Sequence, residues 1–163
     1  MSTTDHIFLG ALSKLLVELF AGPPQGEAYI LNQGDPGLLR QLESVSAEAA
    51  SSRPMRGSTT VAAHVDHVTY GLSLLNRWAG GEANPWADAD WSASWKRGVV
   101  SDLQWRKSRD ELRQQAQLWE DRLAARADWD DMSAAGAISS AAHTAYHVGA
   151  IRQILAALGF KPY

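Results

Sequence analysis

Four stretches of this 163-residue chain carry apolar residues at helical spacing, and nowhere does the sequence alternate apolar with polar residues as a half-buried strand would. The first begins near Thr4 or Asp5, presents Ile7, Ala11, Leu12, Leu15, Leu16 and Leu19 on one face, and stops at Gly22-Pro23-Pro24. The second starts at Ser58, Thr59 or Thr60 and runs to Trp78, ended by Gly80-Gly81. Ser101-Asp102 caps the third, whose inward face is Trp105, Leu112, Ala116, Trp119 and Leu123. Its other face, with Arg106, Lys107, Arg109, Asp110 and Arg113, reads as solvated surface. The fourth spans about Ala134 to Leu158, with Gly159 at the position after its end. Between the first two, residues 23–35 read as a loop in which Tyr29, Ile30 and Leu31 form a short apolar anchor. Asp35-Pro36 then reads as a cap followed by proline in the first helical position. That opens one short helix through about Ala50, with Leu38, Leu39, Leu42 and Val45 inward, and residues 51–58 turn. The pattern predicts an all-α protein: a four-helix bundle with an extra short helix and a long Trp-rich connection, residues 80–100. Residues 1–163 read as a single domain. The first two connections are long enough for parallel neighbours, so spacing leaves the up-and-down order open.

Composition narrows the function classes. Lys and Arg total 15 against 18 for Asp and Glu, a formal charge of -3, so no basic surface invites nucleic acid. The apolar stretch Ile7 to Phe20 is interrupted by Lys14 and Glu18 and lacks a basic n-region, so neither a membrane span nor a signal peptide is expected. The absence of cysteine excludes disulfides, a Cys-based zinc site and a thiol nucleophile. A cytoplasmic protein is the expectation.

Four of the five histidines fall in two pairs, His64 with His67 and His143 with His147. His143 and His147 are one helical turn apart and point the same way, so each can offer a ring nitrogen to one point about 2 Å away. Ala150, Ile151, Ile154 and Leu158 continue their face, which places both inward, where unpartnered ring nitrogens cost roughly 1–3 kcal/mol each. A metal ion satisfies both at once. The first pair can supply a third ligand from across the bundle. A helical wheel puts Val61, Val65, Val68, Leu72 and Leu75 on one side, with His64 nearer that stripe than His67, so geometry slightly prefers His64. Asp66 points about 100° away from His67. Tyr70 and Tyr146 could each bring a hydroxyl near the site, Gln153 is a candidate substrate contact, and Arg152 belongs on the outer face.

The stretches TTVAAHVDHVTYGLSLLNRW and AAHTAYHVGAIRQIL resemble the DinB/YfiT-like family of metalloenzymes. That resemblance implies a DinB-like four-helix bundle in which one histidine of the second long helix and a later His-x3-His bind a divalent ion, commonly zinc or nickel. In the family pattern a Ser/Thr-Val/Ile start precedes the ligand by seven residues, which aligns Thr60 with His67. The resemblance therefore implies His67, His143 and His147 as the metal set, with His64 as the alternate third ligand or a supporting group. Three histidines and an open position describe a catalytic site rather than a structural one. Such an ion activates water or a thiol against a small electrophilic substrate. Relatives in the family include low-molecular-weight-thiol transferases, a thiol-dependent isomerase and hydrolases, so the resemblance alone does not choose the reaction.

Trp86, Trp91 and Trp95 crowd into one ten-residue stretch of the long connection. Three readings stand: a loop packed on its own small core, an aromatic wall over the open side of the metal, or a dimer anchor. The expected partner is a small molecule, with a low-molecular-weight thiol as co-substrate and a homodimer as assembly. The alternatives are a stress-related bundle that binds a metal or small ligand without turnover, and a structural dimer whose histidines are metal-free.

Overall fold

Side-chain caps set the helix starts. The Thr60 hydroxyl accepts the Ala63 N–H, Ser101 and Gln104 form a reciprocal capping box, and Asp130 and Ser133 form another. The computed structural model describes residues 3–160, without the side chains of residues 3–5. Six α-helices follow in chain order: α1 (Thr3–Ala21), α2 (Leu38–Glu43), α3 (Ala47–Ser51), α4 (Val61–Ala79), α5 (Asp102–Ala125) and α6 (Asp131–Ala157), with a turn of 3-10 helix at Ala93–Lys96. No strand occurs among the described residues. The Thr4 and Asp5 side chains, expected as caps, lie outside those described.

The four long helices close a ring in which α4 packs on α5 and α6, and α1 packs on α6 and α5. Asn76 near the end of α4 bonds Gln115 of α5, and Arg122 lies against Gly80, so α4 and α5 run parallel. His64 meets His147 while Gly71 meets His143, so α4 and α6 run antiparallel. Arg152, near the end of α6, is bound beside the end of α1, which makes those two parallel. The order is up-down-down-up, and of the two long connections only the one from α4 to α5 joins parallel neighbours, while the one from α1 to α4 joins antiparallel helices. The core joins Leu16, Leu19 and Phe20 of α1 to Val65, Leu72, Leu112, Trp119 and Ile151. Buried indoles bind across it, with Trp119 Nε1 donating to Ser140 Oγ at 2.9 Å and Trp105 Nε1 donating to the Val45 carbonyl at 2.7 Å.

Five expectations are corrected. The single short helix is two, because Ser46 caps a new start at α3 by accepting the Ala49 N–H. Helix α2 starts one residue after Gly37, and Asp35 does not cap it. Asp35 instead pairs with Arg152, which is therefore enclosed rather than outward, their side chains being 6% and 11% exposed. Of the expected apolar anchor only Leu31 packs against the core, since the Tyr29 and Ile30 side chains are exposed. What fastens the loop is Glu18, fully buried in α1, whose carboxylate accepts the backbone N–H groups of Tyr29, Ile30 and Leu31 at 2.6–3.1 Å. On α5, Arg109 does not simply face solvent: its Nη1 donates to the Leu42 carbonyl at the end of α2.

Close approach requires glycine at position 37. A Cβ there would fall 2.3 Å from Gly22 N and 2.4 Å from the Ala21 carbonyl carbon, so the loop entering α2 crosses directly over the end of α1.

Candidate metal centre

Helices α4 and α6 meet at their histidines, with Gly71 of α4 against His143 and with Ser140 and Thr144 of α6 lining the space beside it. His64, His67 and His147 are buried and His143 is half-buried. One ring nitrogen from each of His67, His143 and His147 lies within 4.8 Å of the other two. The Nε2 atoms of His143 and His147 are 3.0 Å apart. Two ligands on a tetrahedral ion at 2.0–2.1 Å sit about 3.3 Å apart, so this pair already has the spacing of ligands sharing an ion. His67 Nδ1 is buried and has no hydrogen-bond partner. A buried lone pair facing nothing is destabilising unless something electrophilic fills the gap, and a three-imidazole donor set fits a borderline divalent ion.

His64 lies behind this trio. Its Nδ1 is 2.8 Å from His147 Nδ1, on the far side of the His147 ring from the nitrogen that meets His143. With His147 Nε2 given to an ion, its Nδ1–H donates to His64, which fixes the ring's tautomer and orientation. The helical wheel and the resemblance disagreed over this pair because the wheel records direction alone. Both rings are buried at this corner, and only His67 reaches the other two.

Burial holds all four imidazoles neutral, the state that a metal ligand needs. It pushes His147 from the ordinary 6.5 down to about 3, helped by the charges that His143, His64 and His67 would carry. His64 falls to about 4 through burial and then through His67. His67 is lowered by burial and by His143, with Asp66 and the Trp91 backbone pulling the other way, and His143 is lowered by burial alone.

The Trp-rich connection closes one side of the site. Trp95 stacks on His67 with ring centroids 4.5 Å apart, and Trp91 stands 5.5 Å from His67 and 6.5 Å from His143. The segment is fastened at both ends. The Asp90 N–H donates to the Tyr70 hydroxyl at 3.1 Å, and Arg97 forms an ion pair with Asp66. Tyr70 and Asp66 therefore serve the connection rather than the ring nitrogens. Trp86 packs instead on Trp78, and all three indoles of the segment remain a little over a third exposed. Tyr146 sets its ring edge-on to His147 but is 70% exposed, and Gln153 is exposed on the outer face.

Beside the histidines lies a cavity of about 310 Å³ between α4, α6 and the connection, lined by Leu72, Leu75, Trp86, Trp91, His143 and Thr144 among others. Sequence reasoning did not single out Gly71, yet it shapes this space. A Cβ there would sit 3.5 Å from His143 Cε1 and 3.6 Å from the Trp91 ring. A glycine in the middle of a helical pattern was the available signal.

A family profile described as the DinB superfamily matches residues 33–151, almost three quarters of the chain. The chain belongs to the DinB superfamily. The matched span holds α2 to α5 and α6 as far as Ile151, and so contains all four histidines of this DinB site. Searches among curated proteins and among solved structures find no match. The three-histidine cluster of this DinB chain could hold a metal ion, and none of its described helices is long and apolar enough to cross a membrane.

Proposed function

We propose that this DinB-superfamily chain is a divalent-metal-dependent enzyme in which His67, His143 and His147 hold the ion. The observation that carries the reading is the convergence of one ring nitrogen from each of three histidines up to 80 residues apart, one of which, His143, lines an open cavity. When bound, an ion of this kind acts as a Lewis acid, polarising a substrate oxygen or sulfur and lowering the pKa of bound water or thiol. Zinc and nickel suit an all-imidazole donor set. The chain's own residues supply orientation and exclusion of water: His64 holds the His147 ring, while Trp91 and Trp95 cover the His67 ring. The substrate is a small electrophile attacked by water or a low-molecular-weight thiol. A cytoplasmic homodimer is the setting we expect.

One observation favours a second reading. No carboxylate lines the cavity, and Asp66, the acid next to His67 in sequence, is engaged by Arg97. A site without a carboxylate base suits thiol transfer better than water activation, and it also suits a bundle that binds a metal or ligand without turnover.

Elemental analysis of untagged protein purified without chelator tests the proposal, with His64→Ala, His67→Ala and His147→Ala alongside. About one equivalent of zinc or nickel in the wild type, lost in His67→Ala and His147→Ala and retained at weaker affinity in His64→Ala, is the expected result. Screens of thiol transfer and hydrolysis on the loaded protein then separate the reactions. A wild-type protein that takes up no ion overturns the metal reading.

A further inference from the structure

The cavity beside the histidines has a chemistry of its own. Val68, Leu72 and Leu75 form its floor on α4, Trp86 and Trp91 stand along one side, and no charged side chain lines it. Its polar groups are few, and one of them is already occupied. Ser140 Oγ accepts from Trp119 and donates to the Ala137 carbonyl, so it offers little to a ligand. At about 310 Å³ the space is twice the roughly 150 Å³ apolar cavity that suffices for benzene. It opens on His143, the one half-buried histidine of the trio, so whatever fills it lies against one of the three proposed metal ligands. Glycine keeps two approaches clear. Gly71 leaves room between His143 and Trp91, and a Cβ at Gly136 would meet nothing within 4 Å.

The geometry points to an uncharged aromatic ring, or a branched aliphatic group of similar size, as the occupant of this cavity, attached to a polar electrophilic group that lies at the three histidines. This rests on the metal-dependent reading above and narrows its substrate class to a neutral amphiphile. It also divides the two reactants of a thiol transfer. Low-molecular-weight thiols carry carboxylates or several sugar hydroxyls, which find no cation and only the Ser139 and Thr144 hydroxyls on these walls, so the cavity takes the electrophile and the thiol enters from solvent past Trp91. A phosphorylated or nucleotide-linked tail is excluded for the same reason, because desolvating its charge here is uncompensated.

Benzohydroxamate and acetohydroxamate test the inference. Both place the same chelating head on a metal, and they differ by a ring against a methyl group. Dissociation constants are measured by calorimetry on protein of known metal content, for the wild type and for Gly136→Leu, which fills the cavity from α6. Benzyl alcohol is followed by ligand-observed NMR on the chelator-treated forms. Burying a ring of this size is worth about tenfold or more in affinity. The expected result is tenfold tighter binding of benzohydroxamate to the wild type, a loss of that advantage in Gly136→Leu, and unchanged acetohydroxamate binding. Benzyl alcohol then binds the metal-free wild type and not the variant. Metal-loaded protein with equal affinities for the two hydroxamates, or with a ring preference that Gly136→Leu leaves intact, overturns the inference while the metal reading stands. Protein that takes up no ion yet binds benzyl alcohol in the wild type alone overturns the metal reading and keeps the cavity.

Discussion

Acid should weaken the metal-free protein well before its carboxylates titrate. His64 and His147 are lowered in the folded chain to about 4 and about 3 from an ordinary 6.5, chiefly by burial. Between those values the unfolded chain binds more protons than the folded one, so stability falls as pH falls. The loss begins below pH 6.5 and continues to about pH 4 for His64 and about pH 3 for His147. From pH 7.5 to 5.0 each ring accounts for about 2 kcal/mol, hence about 4 kcal/mol together, with His67 and His143 adding in the same direction. Water at the mouth of the site screens part of this, and about half of it is the smallest effect consistent with rings 5% and 2% exposed. For a domain of this size that is a fall in Tm of roughly 4–16 °C. The assay is thermal unfolding of chelator-treated protein by circular dichroism at pH 7.5, 6.5, 5.5 and 5.0, with a His64→Gln/His147→Gln double variant alongside. The double variant should lose several degrees less over the same range, whatever its stability at pH 7.5. A wild-type Tm that does not change between pH 7.5 and 5.0, or a double variant that falls as steeply, would refute the assignment of buried neutral rings.

Three further outcomes follow from particular contacts. Glu18→Gln puts an amide nitrogen among three backbone N–H donors in a fully buried position and should destabilise the fold by about 3 kcal/mol, read as a Tm lower by roughly 6–12 °C. Gly37→Ala drives a methyl group into the backbone at the end of α1 and should cost about 3 kcal/mol, whereas an unchanged denaturation midpoint would show that this crossing is not tight. His64→Phe removes the acceptor for His147 Nδ1 while keeping the ring volume, and should weaken ion binding about 10–100-fold at unchanged stoichiometry in a competition titration with a chromophoric chelator. Loss of stoichiometry in that variant would make His64 a ligand instead.

The elements legible in the sequence are those whose determinants lie within a turn or two of chain. Thr60, Ser101 and Gly159 mark helix ends through bonds or backbone angles that involve only neighbours, and the helical period supplied the buried faces. The His143–His147 pair was legible for the same reason. The choice between His64 and His67 was not legible from the wheel, because burial at that corner comes from α6 and from Trp95, both remote in sequence. Glu18 looked like an interruption of an apolar helix, since the three donors it accepts from are 11–13 residues away in a loop without a pattern. Arg152 looked solvent-facing, and its partner Asp35 lies 117 residues earlier. The sequence also could not reveal what the indoles of the long connection touch. Their number was plain, but their stacking on His67 depends on anchors at Tyr70 and Asp66 in another helix.

The separation of the histidines along the chain gives their convergence a temporal meaning. His67 lies in α4, and the other two members of the trio lie in α6, 76 and 80 residues later. During synthesis a nascent chain that has not yet released α6 presents a single imidazole of the three, too few to retain an ion against the surrounding solution. An occupied site therefore reports that the final helix has docked antiparallel to α4. Metal uptake by truncated or stalled chains should be absent, however well α1 to α5 have collapsed.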